Sequence, residues 1–573
     1  MGKKSPVDQM SMKKWIKINI ILPFQTQSQY CKDGVIAMEK SIEETKFPLP
    51  TEISTRSRLI EYFRRNISRT WKFSLLTSVL ITLSSIICVQ SIMAEWGVYG
   101  FSFDDSWIHV QYARTIFEGK PWEYARGIPS TGTSGPLWSV VLSPIFFMGY
   151  DHDVVVTSVL VISGVLYIID VFLVGEIIRQ HITRWEYVIL GQVVFVMVPR
   201  NTGLMLSGME TPLGMMLILL ALLLLPRPEK KYDLILGVVA GLAYLCRPEF
   251  VLIAAFCLPI RGLIVLFHDR LKKERIFTVI AMFALAALVV LPWVLYCINT
   301  TGLPLADSYY SKMRWGVSQD AIDLWNFFWC QVWFPSEPYL IIGFVGALAL
   351  LVVKRRPYEL VLTVSLFFLY RLTIPGMSLL FAARYLVPLF DLLNIAFTCG
   401  VVFLIERLLR TEALRRPGNL TYRTILVIAV TVLLFLPSIE SNRWYSNVHA
   451  NQTKNIEEMQ VHLAMWIRVN VPEDAVIATY DVGALGFFAR GIVLDQYGLV
   501  TPPLLHNYTT LSDQAQYLRT MNCTYVMYYV EWFPGLRNAI IGEGGAVVEL
   551  YRVHIDDNVV CGTDNMAVYH VIW

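Results

Sequence analysis

The chain is poor in charge: only 16% of its 573 residues are Asp, Glu, Lys or Arg, and the formal net charge is +3. No basic tract is interleaved with aromatics, which argues against a nucleic-acid partner. The nine cysteines show neither CxxC nor Cys/His metal spacing, so a zinc module or dithiol centre is not indicated. The glycines lack the full dinucleotide-binding spacing. There is no internal repeat and no low-complexity tract, which argues against solenoids and repeat-built transporters. What the chain has instead is apolar mass. Hydrophobic residues make up 55%, and mean hydropathy is +0.50, an integral membrane composition.

The first long apolar run, Trp71 to Met93, lies too far along for a cleaved leader and reads as a retained anchor. Arg64, Arg65, Arg69 and Lys72 flank its start. The positive-inside rule places that end in the cytoplasm. Pro136 to Met148 is short against the roughly 20 residues a helical span needs. Further spans are predicted at 154–178, 186–200, 204–225, 233–247, 250–268, 276–297, 338–353, 358–374, 384–405 and 421–437. With the anchor, that makes about eleven spans of roughly 20 residues each. Each predicted cytoplasmic turn carries basic residues, such as Arg227, Lys230 and Lys231, or Lys354, Arg355 and Arg356. The outer turns are nearly free of such clusters, and an odd count puts the C-terminus outside.

The fold class expected is therefore an α-helical polytopic membrane protein with a small C-terminal extracytoplasmic α/β domain. Residues 1–70 form a cytoplasmic N-terminal segment. Residues 71–437 form the membrane module, with a first outer loop at 94–153, and residues 438–573 form the outer domain. Within that last part, 475–480, 492–494 and 525–529 read as strands, and 481–488 as a turn into a helix. Cys523 and Cys561 lie there, where an oxidising compartment would let them pair.

The polar residues that stand out fall on one predicted face. The first outer loop holds Asp104, Asp105 and His109. Later outer turns supply Glu210, then Arg247 and Glu249, then Lys312, then Arg384 and Tyr385. Adjacent carboxylates at a bilayer surface need a cation, a proton or a substrate to meet. An acid can take the proton of a hydroxyl nucleophile, while Arg and Lys can hold a phosphate leaving group. Simpler readings stand beside this one. The Asp pair can serve the first turn of a helix. His109, four residues after Asp105, can be a helix-face partner. Glu210 and Glu249 can pair with Arg247, Lys312 can snorkel, and Arg384 can mark a helix end. A divalent cation at the Asp pair is a further candidate.

The order of anchor, Asp-Asp in the first outer loop, many helices and an outer domain resembles the GT-C glycosyltransferases. Asp104 to Arg114, Gly132 to Trp138, Ser207 to Thr211, Arg247-Pro248-Glu249, Pro304 to Lys312 and Arg384-Tyr385 resemble, more narrowly, the mycobacterial terminal arabinofuranosyltransferase-like family. So do Asp481 to Gly486 and Asp495 to Leu499. The resemblance covers about residues 75–505 in order. It implies transfer of a sugar from a polyprenyl-phosphate donor to a cell-envelope glycan or glycolipid acceptor outside the cytoplasm, with inversion. It also implies a general base at Asp104 or Asp105, with Asp104 ahead. Arg247, Lys312 and Arg384 would then grip phosphate; Glu210 and Glu249 would contact sugar or orient those cations, and His109 and Tyr385 would contact substrate. The polar stretch before Trp71 departs from that family. Alternatives are a lipid-linked sugar flippase or transporter, to which Arg371 within an apolar run points, a receptor or assembly subunit, and a protein glycosyltransferase, for which no Trp-Trp-Asp signature is present.

Overall fold

The computed structural model describes residues 71–182, 184–198, 200–268, 272–313, 345, 384, 387–408 and 419–573. The expected segment 1–70, the spans at 338–353 (but for Val345) and 358–374, Arg371 and Tyr385 lie outside these residues, as does the Lys312 side chain.

The described residues open with α1 (Trp71–Glu95), a 25-residue apolar helix without Gly or Pro. At 1.5 Å per residue it reaches about 37 Å, enough to cross a bilayer. Its Leu75, Leu76, Leu80, Leu83 and Ile87 are exposed, while Ser74, Thr77, Ser78 and Thr82 are buried. This is inside-out relative to a soluble helix, as lipid contact requires. The buried stripe is hydrogen-bonded: Thr77 Oγ1 donates to Gln192 Oε1 at 2.6 Å, and Gln192 Nε2 donates to the Ser74 carbonyl at 3.0 Å.

After a turn come α2 (Asp104–Phe117), a small hairpin of β1 (Glu123–Ala125) and β2 (Ile128–Pro129), and α3 (Pro136–Leu142). The apolar helices follow: α4 (His152–His181), α5 (Trp185–Val196), a short α6 (Asn201–Met205), α7 (Thr211–Leu224), α8 (Lys230–Cys246), α9 (Leu258–His268) and α10 (Lys273–Thr301). Then come α11 (Asp307–Met313), α12 (Val387–Leu408) and α13 (Asn419–Ile456). Among the described residues, five helical stretches are long and apolar enough to cross a membrane, and four apolar ones are shorter. At one end of the bundle, Asp233 accepts from Arg261 Nε at 2.6 Å and from Arg275 Nη1 at 3.1 Å, all three groups being buried.

The change in composition near residue 438 falls inside α13, beside Pro437. The helix continues through a π turn at Glu457–Val461 into α14 (His462–Asn470). It leads into a five-stranded sheet. The elements in order are β3 (Val476–Thr479), α15 (Gly483–Phe488), β4 (Ile492–Asp495), α16 (Pro502–His506), α17 (Leu511–Thr520), β5 (Cys523–Tyr529), α18 (Phe533–Gly542), β6 (Ala546–His554) and β7 (Asn565–Ile572). The strand order is β4-β3-β5-β7-β6. β3 runs parallel to β4 and β5, while β7 is antiparallel to β5 and β6. Cys523 and Cys561 are both free thiols. Cys523 is buried at the start of β5, whereas Cys561 is partly exposed.

The sheet packs on α2 through α15. Fully buried Trp107 lies 5.2 Å from the Phe487 ring and 4.9 Å from the Phe488 ring, centroid to centroid. Arg114 Nη1 donates to the Phe487 carbonyl at 2.7 Å, and the Tyr124 hydroxyl donates to the Val482 carbonyl at 2.8 Å. Removing such a buried Trp costs roughly 3–5 kcal/mol, so this contact fixes the sheet against the start of α2.

Candidate active site

A cavity of about 310 Å³ lies where the start of α2, the turn before α7, α11 and the sheet meet. The sheet's contribution follows from its topology. The three mutually parallel strands end on the same side, so the segments after β3, β4 and β5 converge there. Ligands in open α/β sheets bind at such carboxyl ends. Tyr480, Asp481 and Val482 come from the first, Asp495, Tyr497 and Leu499 from the second, and Tyr529 and Trp532 from the third.

Asp104 and Asp105 are the first two residues of α2, with Phe103 at the N-cap and no side-chain cap bond. They diverge. Asp104 Oδ2 accepts the Gly483 N–H at 2.7 Å, and Oδ1 accepts the Ala484 N–H at 2.8 Å. These are amides at the start of α15. Burial, then the charge of Asp481, push the Asp104 carboxyl up to about 8 against the opposing pull of the two amides. Asp105 instead faces the cavity with 44% of its side chain exposed, and its Oδ2 accepts from Arg384 Nη2 at 2.6 Å. The Arg384 guanidinium also lies 5.1 Å from the Phe103 ring centroid.

A second charged group stands alongside. Buried Glu210 has Oε2 3.1 Å from His109 Nε2 and Oε1 3.5 Å from Arg247 Nε. Burial alone would raise its pKa, but Arg247 and His109 outweigh it and hold the carboxyl below the usual range. Glu249 lies 3.7 Å from Arg247 Nε, outside the cavity lining. Of the expected site residues, the cavity thus gathers Asp104, Asp105, His109, Glu210, Arg247 and Arg384. Lys312 is on α11 by its backbone. That helix also places Ser308 and Ser311 at the cavity and is tied to the sheet domain, with Asp307 Oδ1 2.8 Å from His506 Nε2. Among the described residues, no three His, Cys, Asp or Glu side chains converge as ligands for a metal ion.

Sequence reasoning did not place Tyr480, Asp481, Asp495, Tyr497, Tyr529 or Trp532 in the site. The motifs Asp481 to Gly486 and Asp495 to Leu499 carried a signal for three of them, Asp481, Asp495 and Tyr497. Asp481 Oδ2 accepts from Gln460 Nε2 at 3.0 Å and from the Tyr529 hydroxyl. Burial raises the Asp495 carboxyl to about 7, although it accepts the N–H groups of Tyr497 at 2.8 Å and Val500 at 3.0 Å.

Known structures are similar to this chain in fold. ArnT from Cupriavidus metallidurans, bound to undecaprenyl phosphate, aligns over 86% of this chain and 97% of its own, with 11% identity and a TM-score of 0.53. The archaeal oligosaccharyltransferase AglB from Archaeoglobus fulgidus, in complex with an inhibitory peptide and a dolichol-phosphate, aligns over 78% of this chain and 69% of its own, with 14% identity and a TM-score of 0.51. The chain has the GT-C fold. At such identities the likeness concerns the GT-C fold alone. Residues 452–569 match a family model described as a domain of unknown function, DUF8728. No curated protein matches the sequence.

Proposed function

We propose that this GT-C protein is an integral membrane glycosyltransferase. It moves a sugar from a polyprenyl-phosphate donor to an extracytoplasmic glycan or glycolipid acceptor, inverting the anomeric carbon. The observation that carries the reading is the Asp105–Arg384 pair, 2.6 Å apart at the wall of a cavity that Arg247 also lines. A carboxylate able to take a proton thus lies beside cations able to hold a phosphate. The ordered motifs that resemble those of terminal arabinofuranosyltransferase-like proteins support the same reading.

In the proposed step, an acceptor hydroxyl oxygen forms a bond to the anomeric carbon. The bond from that carbon to the phosphate oxygen breaks, and its electron pair leaves with the polyprenyl phosphate. The hydroxyl proton passes to Asp105. Asp105 takes this role ahead of Asp104 because both Asp104 oxygens are held by amides of the sheet domain. Arg384 and Arg247 meet the phosphate oxygens, with Lys312 assigned to the same end of the donor and Tyr385 to substrate contact. Glu210, with His109, holds Arg247 in place, and Glu249 steadies it from behind.

The test is sugar transfer by purified protein, with radiolabelled polyprenyl-phosphate sugars and a membrane glycan extract. Asp105→Asn is expected to lower turnover by about 10²–10⁴-fold, as loss of a general base does. Asp104→Asn is expected to lower it less. Equal activity of Asp105→Asn and wild type would end the assignment.

One observation favours a second reading, a lipid-linked sugar flippase. Asp170 of α4 and Asp391 of α12 are fully buried within apolar helices, and intramembrane carboxylates often line transport paths. A flippase would relocate the donor unchanged, whereas the enzyme consumes it.

A further inference from the structure

The geometry points to an acceptor subsite in the sheet domain, where Trp532, braced edge-on by Tyr480, offers a stacking platform for a saccharide ring. This rests on the glycosyltransferase reading and adds to it the part of the chain that holds the acceptor.

Four observations carry it. First, Trp532 lines the cavity and is 40% exposed, a large aromatic side chain that the fold does not bury. Second, the indole is held from the side. Its ring centroid lies 5.0 Å from Tyr480 at an interplanar angle of 74°, and 4.7 Å from Tyr529 at 61°. Tyr480 in turn leans on Tyr497 at 5.5 Å and Tyr528 at 5.7 Å. Third, the chain keeps a glycine beneath the indole. A Cβ on Gly562 would lie 2.4 Å from Trp532 Cη2 and 2.9 Å from Tyr529 Cε2. Fourth, polar atoms suited to sugar hydroxyls surround the platform. Tyr529 and Gln460 both donate to Asp481 Oδ2, and Asp481 and Tyr529 line the cavity.

A rigid aromatic face ringed by a few oriented polar groups is how a pocket takes a mostly apolar surface with fixed hydroxyls. The apolar C–H face of a pyranose or furanose ring presents that surface. A peptide strand would instead need a run of open backbone donors and acceptors. At this cavity the ends of β3, β4 and β5 offer side chains. The platform and Asp105 line one cavity, so a ring seated on Trp532 directs a hydroxyl of the same or the next sugar toward the base.

The experiment uses the full chain in nanodiscs and ligand-observed NMR. The probes are methyl hexopyranosides, methyl pentofuranosides and their disaccharides, with a sequon peptide as the competing class. At least one saccharide is expected to saturate wild type. Trp532→Ala should weaken it by at least about tenfold, as truncation of a central aromatic anchor does. Trp532→Phe should weaken it less, and Gly562→Ala, which keeps the indole but tilts it, should weaken it too. Unchanged thermal unfolding would establish that the variants are folded. The inference is overturned if no saccharide saturates wild type, if Trp532→Ala binds as wild type does, or if only the peptide signal depends on Trp532. Saccharide binding through Trp532 without any donor turnover would retire the transferase reading and leave the platform standing.

Discussion

Substitution of Gly483 by alanine tests the idea that the sheet domain sets the position of the Asp pair. A Cβ at residue 483 would lie 1.9 Å from the Asp104 carbonyl oxygen, 2.7 Å from its carbonyl carbon and 2.7 Å from its carboxyl carbon. Two of these are backbone atoms of α2, so no side-chain rotation relieves the clash. Reaching a tolerable 3.0 Å requires α15 and α2 to part by about 1 Å, and displacements of that size cost on the order of 10²-fold in rate. The same movement stretches the two amide bonds to Asp104, now 2.7 and 2.8 Å, beyond hydrogen-bonding range. We therefore expect Gly483→Ala to lower turnover by about 10²-fold, with a smaller change in the donor concentration needed for half-maximal rate. The assay is sugar transfer in nanodiscs, run beside thermal unfolding to separate misplacement from loss of fold. A variant that keeps its fold and turns over within twofold of wild type would refute the reasoning.

Other outcomes follow from the same geometry. The Asp104 carboxyl is raised to about 8 in the folded protein and Asp495 to about 7, so the folded chain binds more protons than the unfolded one above pH ~4. The stability these groups contribute is greatest at low pH and is lost as pH rises from about 4 toward 8; thermal unfolding across that window should show the fall, and Asp104→Asn should make it shallower. Asp233→Ala takes the shared counter-charge from two buried guanidinium groups and is expected to destabilise by about 3–5 kcal/mol, read by thermal unfolding in detergent. The segment after residue 438 is expected to be open to protease added outside intact cells; full protection there would overturn the proposed orientation.

How much of this was legible beforehand depends on the range of the interaction. Local apolar runs sufficed for α1, α4 and α10, because a helix long enough to cross lipid must be apolar along its length. Period and turn residues placed β3, α15, β4 and the end of β5 close to where they lie. The cationic and acidic members of the cavity could be named because charged groups at apolar borders are conspicuous. Their pairing was less accessible. Nothing in the adjacency of Asp104 and Asp105 says that one turns to α15 and the other to Arg384, since that depends on contacts spanning 379 and 279 residues. The aromatic wall was missed for a related reason. Tyr480 and Trp532 look like ordinary strand-end residues until the parallel pairing of β3 with β5 brings them to one rim.

The most direct test of the central claim is the fate of the donor. Purified wild-type protein in sealed proteoliposomes is given a labelled polyprenyl-phosphate sugar and a glycan acceptor. The account predicts label in the acceptor and an equal amount of free polyprenyl phosphate. Intact donor that has merely changed leaflet would contradict it.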